Sequence, residues 1–164
     1  MAIEWTEDLA TGIEEIDDQH RALYDAISDL HDAMRRSRLD RVPAVLEFLS
    51  GYVAEHFATE EREMAATGYP GLDEHRAAHL AFGVDYRQLV ARVEGSRITP
   101  LLVLELSTWL GEWLRDHVRR IDGAMARHIR ASRGPGPRRG RADGASRHAG
   151  PTADALPPGW RATR

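Results

Sequence analysis

Residues 56–79 read HFATEEREMAATGYPGLDEHRAAH, and this stretch decides the architecture. It sets His56 and Glu60 four residues apart, then a Thr67-Gly68-Tyr69-Pro70-Gly71 break, then His75 and His79 four residues apart. On an α-helix, residues four apart lie one turn apart on one face. Each pair therefore aims two metal-type donors at a common point. Glycine and proline between the pairs stop one helix and turn the chain.

Working outward, the segment before the break predicts a helix from near Asp40 to Met64, with Pro43 tolerated in its first turn. The segment after it predicts a helix from about Leu72 to Val93, ended by Glu94-Gly95-Ser96. A further helix starts near Thr99-Pro100, a capping residue followed by proline at the first helical position, and runs to about Arg130. Toward the N-terminus, Leu23, Ile27, Leu30 and Met34 step by four, three and four, an inward helical stripe that opens near Asp17 or Asp18. Met1 to about Ile16 has no helical period and reads as an N-terminal arm. Nothing alternates with the period of a strand. Four helices with short connections predict an all-α, antiparallel up-down-up-down four-helix bundle.

Composition narrows the chemistry. At 164 residues the chain is long enough for one domain with a real core. It has no cysteine, which excludes disulfides, thiolate zinc sites and iron–sulfur clusters. No basic-then-apolar leader opens it, and the most apolar stretch, Leu101 to Leu104, soon meets Glu105 and Glu112. A soluble cytoplasmic monomer with no membrane contact is expected.

Charge is uneven along the chain. Residues 131–164 hold seven arginines against Asp143 and Asp154, for +5, so residues 1–130 carry −9 of the net −4. Five of the eight prolines and six of the fourteen glycines also fall there. Such a segment buries too little surface to offset its ordering entropy, so residues 132–164 are expected to be a disordered tail behind a folded unit of residues 1–131. The tail could meet a protein partner. Nucleic acid is not expected as a ligand, because Trp160 stands alone and no aromatic platform is interleaved with the arginines.

The donors are not confined to the opening stretch. His20 lies in the first helix, and His117 shares a face with Trp109 and Trp113 in the last. Asp122 is five residues beyond His117, about 140° around an ideal helix, so only a longer reach or a local bulge lets both meet one centre. Singly, each group has a plain explanation: a surface ion pair for His56 and Glu60, a packed or solvated ring for His20 or His117. Jointly, unpaired donors from four helices would be costly inside a bundle, and a metal centre satisfies all of them.

His20, His56, Glu60, His75, His79, His117 and Asp122 are too many for one tetrahedral zinc and suit two ions sharing carboxylates. Ligand type leaves zinc, copper, iron and nickel open. Arg76, where a zinc protease has glutamate, excludes that motif. His31, His128 and His148 read as ordinary.

Several stretches carry a family resemblance: Gly12-Ile13-x-x-Ile16-Asp17-x-Gln19-His20, His56-Phe57-x-x-Glu60-Glu61-x-x-Met64, Tyr69-Pro70, His75-x-x-x-His79 and Trp113-Leu114-x-x-His117-x-x-x-x-Asp122. Over roughly residues 1–130 the chain resembles the bacterial hemerythrins, non-haem di-iron oxygen-binding proteins, whose own spacing includes the five-residue His-to-Asp step. The resemblance implies two iron ions joined by an oxo or hydroxo bridge and by Glu60 and Asp122. It implies that His75, His79 and His117 hold one iron, and that His20 and His56 hold the other, which keeps a position for dioxygen. Trp113, Leu114 and Val118 would form the apolar wall of the oxygen pocket, although the same three residues also read as bundle core. Reversible dioxygen binding for transport, storage or sensing is implied. The alternatives are a di-iron enzyme acting on peroxide or nitric oxide, an oxygen- or redox-sensing regulatory module, and a structural zinc bundle.

Overall fold

The structure, a computed structural model, describes residues 4–134. The expected disorder of the tail falls almost entirely outside that range. Four long helices form the bundle: α1 (Glu14–Arg35), α2 (Val42–Thr67), α3 (Leu72–Glu94) and α4 (Pro100–His117). The α4 rod continues through a π-helical turn, Val118–Asp122, into α5 (Gly123–Arg133). Among the described residues there is no strand, and no helix is long and apolar enough to cross a membrane.

Local chemistry sets the helix ends. Gly68 closes α2 in the left-handed conformation (φ 63°), with the Tyr69 amide donating to the Met64 carbonyl at 2.9 Å. Thr99 caps α4 by accepting from the Leu102 amide at 3.2 Å, with Pro100 following it.

Three boundaries differ from the sequence reading. Helix α1 begins at Glu14, before Asp17, because the Asp17 carboxylate is spent on the arm: it accepts from the Thr11 amide (2.7 Å), the Thr11 hydroxyl (2.7 Å) and the Gly12 amide (3.0 Å). The arm itself contains a 3₁₀ turn, Glu7–Leu9. Helix α2 starts at Val42, after a 3₁₀ turn over Leu39–Arg41. Helix α5 runs through Ser132 to Arg133, where Arg133 pairs with Glu63, so the first two residues assigned to the tail are helical.

The bundle buries two apolar layers. The larger includes Leu23, Ile27 and Leu30 of α1, Leu46, Leu49 and Val53 of α2, and Val103, Leu106 and Leu110 of α4. The smaller is Ile13, Ile16, Met64, Met125, Ala126 and Ile129. In sequence, His20 falls between Ile16 and Leu23, His56 and Glu60 between Val53 and Met64, and His117 and Asp122 between Leu110 and Met125. The polar donors thus form a belt with a dry layer on either side. They come from the start of α1, the second half of α2, the start of α3 and the end of α4, as antiparallel neighbours require.

Candidate metal centre

All seven expected donors meet at one point, and all are buried: His20, His56, Glu60 and Asp122 at 0% exposure, the other three at 2–3%. The five rings present Nε2. Glu60 Oε1 lies 3.8 Å from His20 and 3.6 Å from His56, while its Oε2 lies 3.4 Å from His75 and 3.2 Å from His79. Asp122 repeats the pattern, with Oδ2 at 3.2 Å from His20 and Oδ1 at 3.2 Å from His75 and 3.1 Å from His117. Each carboxylate gives one oxygen to each group of rings. Two sets able to hold an ion result: Glu60, His75, His79 and His117, and His20, His56, Glu60 and Asp122.

The Asp122 position has a backbone cause. Five residues on an α-helix would swing it about 140° away from His117. The π turn over Val118–Asp122 closes i to i+5 and restores both to one face, which is the local bulge the sequence left open.

The donor set fits metal better than protons. An ion holding imidazole nitrogen at about 2.1 Å spaces neighbouring donors about 3.0 Å apart in octahedral and about 3.4 Å apart in tetrahedral geometry, close to the spacings here. His75 Nε2 and His117 Nε2 face each other at 3.2 Å, a contact two neutral acceptors would avoid. Both oxygens of Glu60, both of Asp122 and the Nε2 atoms of His20, His56 and His79 are buried without a hydrogen-bond partner. Burial drives the His56 pKa down to about 3, keeping that ring neutral as a metal donor must be. Burial also opposes a charge on His75, but the Asp122 and Glu60 carboxylates beside it outweigh that and push its pKa up to about 9. Against their own burial, the surrounding rings hold both carboxyls below the ordinary range.

The three residues expected to wall an oxygen pocket lie near His117. The Trp113 ring stacks on the His117 ring at 4.4 Å and 17°, and Leu114 and Val118 are buried beside it. Trp113 and Leu114 also line a small apolar cavity of about 20 Å³ with Phe57 and Phe82, so the pocket-wall and core readings describe the same side chains.

Sequence reasoning gave no role to four neighbours of the site. Phe57 stacks on His79 at 3.6 Å and 6°. Trp5 of the arm stacks on His20 at 5.9 Å. Gln19 Oε1 accepts from His56 Nδ1 at 3.1 Å, and Glu61 Oε1 accepts from His79 Nδ1 at 3.2 Å. The available signal was adjacency: Phe57, Gln19 and Glu61 each sit next to a ligand in the chain.

Residues 11–129 match the Hemerythrin HHE cation binding domain family. The chain is 34% identical over 128 residues to a bacteriohemerythrin of Stenotrophomonas maltophilia, covering 77% of this chain and 81% of that protein. A bacteriohemerythrin of Pseudomonas aeruginosa is 32% identical (78% and 82% covered), and a myohemerythrin of Riftia pachyptila 28% (72% and 86%). A crystal structure of a leucine-to-phenylalanine mutant superposes with a TM-score of 0.69 at 24% identity, covering 79% of this chain and 98% of that one, which supports the fold. With its donors converging from four helices and its sequence matched across the bundle, this chain belongs to the hemerythrin family.

Proposed function

We propose that this protein binds dioxygen reversibly at a non-haem di-iron centre. His75, His79 and His117 would hold one iron and His20 and His56 the other, with Glu60 and Asp122 serving both. The observation that carries this reading is the division of each carboxylate between the two groups of rings. When bound, the iron pair supplies the two electrons that dioxygen takes on binding and returns on release. The side with two histidines, which offers one protein donor fewer, would be the one to take up dioxygen.

The chain's part is to hold and to exclude. Two carboxylates offset the charge of the ions in a belt with no exposed donor. Trp113, Leu114 and Val118, together with Phe57, keep water from the rings, which disfavours escape of a reduced, charged oxygen species. The binding unit works as a cytoplasmic monomer and runs through Arg133, two residues past the 1–131 expected from sequence, and the basic segment beyond it serves contact with a protein partner.

The test is anaerobic loading with ferrous iron followed by air. A visible charge-transfer band that forms in air and vanishes under argon is expected. A colourless product contradicts the reading, and steady consumption of dioxygen or peroxide with a reductant assigns the centre to an enzyme.

A further inference from the structure

The two groups of rings are gripped differently from outside. On His56, the partner is the neutral carboxamide of Gln19. Its orientation is fixed, because the Gln19 amide nitrogen donates to Thr59 Oγ1 at 3.2 Å and leaves the oxygen for the ring. On His79, the partner is the Glu61 carboxylate, held on its other oxygen by Arg76 Nε at 3.0 Å. Glu60 and Asp122 cannot distinguish the two sides, since each gives an oxygen to both.

We propose that Gln19 and Glu61 are positioning residues that make the two iron sites electrically unequal. In the half-oxidised protein the ferric charge settles on the His75–His79–His117 side, and the His20–His56 side stays ferrous. This rests on the di-iron reading above. A carboxylate that accepts the Nδ1 proton draws it outward and raises the donor strength of Nε2, whereas a carboxamide does so weakly. A stronger donor favours the more highly charged ion. Arg76 does not cancel the effect: its side chain is 46% exposed and screened by water, while the His79 side chain is 3% exposed. The iron offered to dioxygen is thereby the harder of the two to oxidise in a single-electron step.

The experiment uses the full chain loaded with two ferrous irons, titrated through both one-electron oxidations, with iron content measured on every sample. Glu61→Gln is expected to raise the first potential and Gln19→Glu to lower the second. Each shift corresponds to about a tenfold change in equilibrium constant, or about 59 mV for one electron. Both variants thus bring the two potentials together, a pattern that mere loosening of the rings would not produce. Unchanged separation in variants that keep two irons overturns the proposal, as does a Glu61→Gln change that appears in the second potential alone. Should Glu61→Gln lose iron, Gln19→Glu decides by itself. A wild-type chain without two irons overturns the di-iron reading and this inference with it.

Discussion

Removing the metal is predicted to cost this fold a large part of its stability. Seven buried atoms face the centre without a hydrogen-bond partner: Nε2 of His20, His56 and His79, and both oxygens of Glu60 and of Asp122. A buried polar group left unsatisfied costs about 1–3 kcal/mol. Seven of them amount to about 7–20 kcal/mol, the scale of an entire domain's stability at about 5–15 kcal/mol. Protons shared between rings and carboxylates recover part of this, as the raised His75 pKa indicates. Two ions satisfy every one of the seven. Even a quarter of the upper figure, about 5 kcal/mol, corresponds at about 2–4 °C per kcal/mol for a chain of this size to about 10–20 °C in melting temperature. The assay is thermal unfolding followed by far-ultraviolet circular dichroism, anaerobically, on ferrous-loaded and chelator-treated protein at one pH and salt concentration. Zinc, which has no redox chemistry, should reproduce most of the rise. Coincident melting curves would refute the reasoning, because they would show protons satisfying these atoms as well as ions do.

Four further outcomes follow from the geometry. Asp17→Ala removes the acceptor of three hydrogen bonds that tie the arm to α1 and should destabilise by at least the worth of one such bond to a charged group, about 1.5–3 kcal/mol; an unchanged denaturant midpoint contradicts that role. Gly68→Ala meets no atom within 4 Å, so its cost is the left-handed backbone alone, about 1–2 kcal/mol by the same measurement. In metal-free protein, the His75 pKa is raised from 6.5 to about 9, so its stabilising contribution is complete below about 6.5 and fades as pH rises through about 9; iron must displace that proton, so apparent ferrous affinity should climb between those values and then level, and a flat profile contradicts this. Leu114→Ala opens the apolar wall beside His117 and should speed autoxidation severalfold, read as decay of the oxygenated spectrum; an unchanged decay assigns Leu114 to the core alone.

Much of this site was legible because its donors obey helical spacing. His56 with Glu60, and His75 with His79, lie one turn apart, so the sequence alone aims each pair at one point. Asp122 was legible only through family resemblance, since the rule of 3.6 residues per turn puts it on the wrong side; the π turn is a backbone choice that VRRID does not announce. The second layer was not legible for a geometric reason. A residue adjacent to a ligand points about 100° away on its own helix, and therefore toward the next helix. Gln19 of α1 reaches His56 of α2, while Phe57 and Glu61 of α2 reach His79 of α3. Their partners are distant in sequence, at separations of 37 residues for Gln19 and 18 for Glu61, and only the packing of the bundle brings them together. The arm hid Trp5 in the same way: without a period, nothing in the sequence points its ring at His20.

Iron counted per chain, after anaerobic loading and removal of free metal, tests the central claim most directly. Two atoms per wild-type chain are predicted, with a clear loss on Glu60→Ala, whose oxygens face both groups of rings. One atom or none in the wild type, or two retained without Glu60, would contradict it.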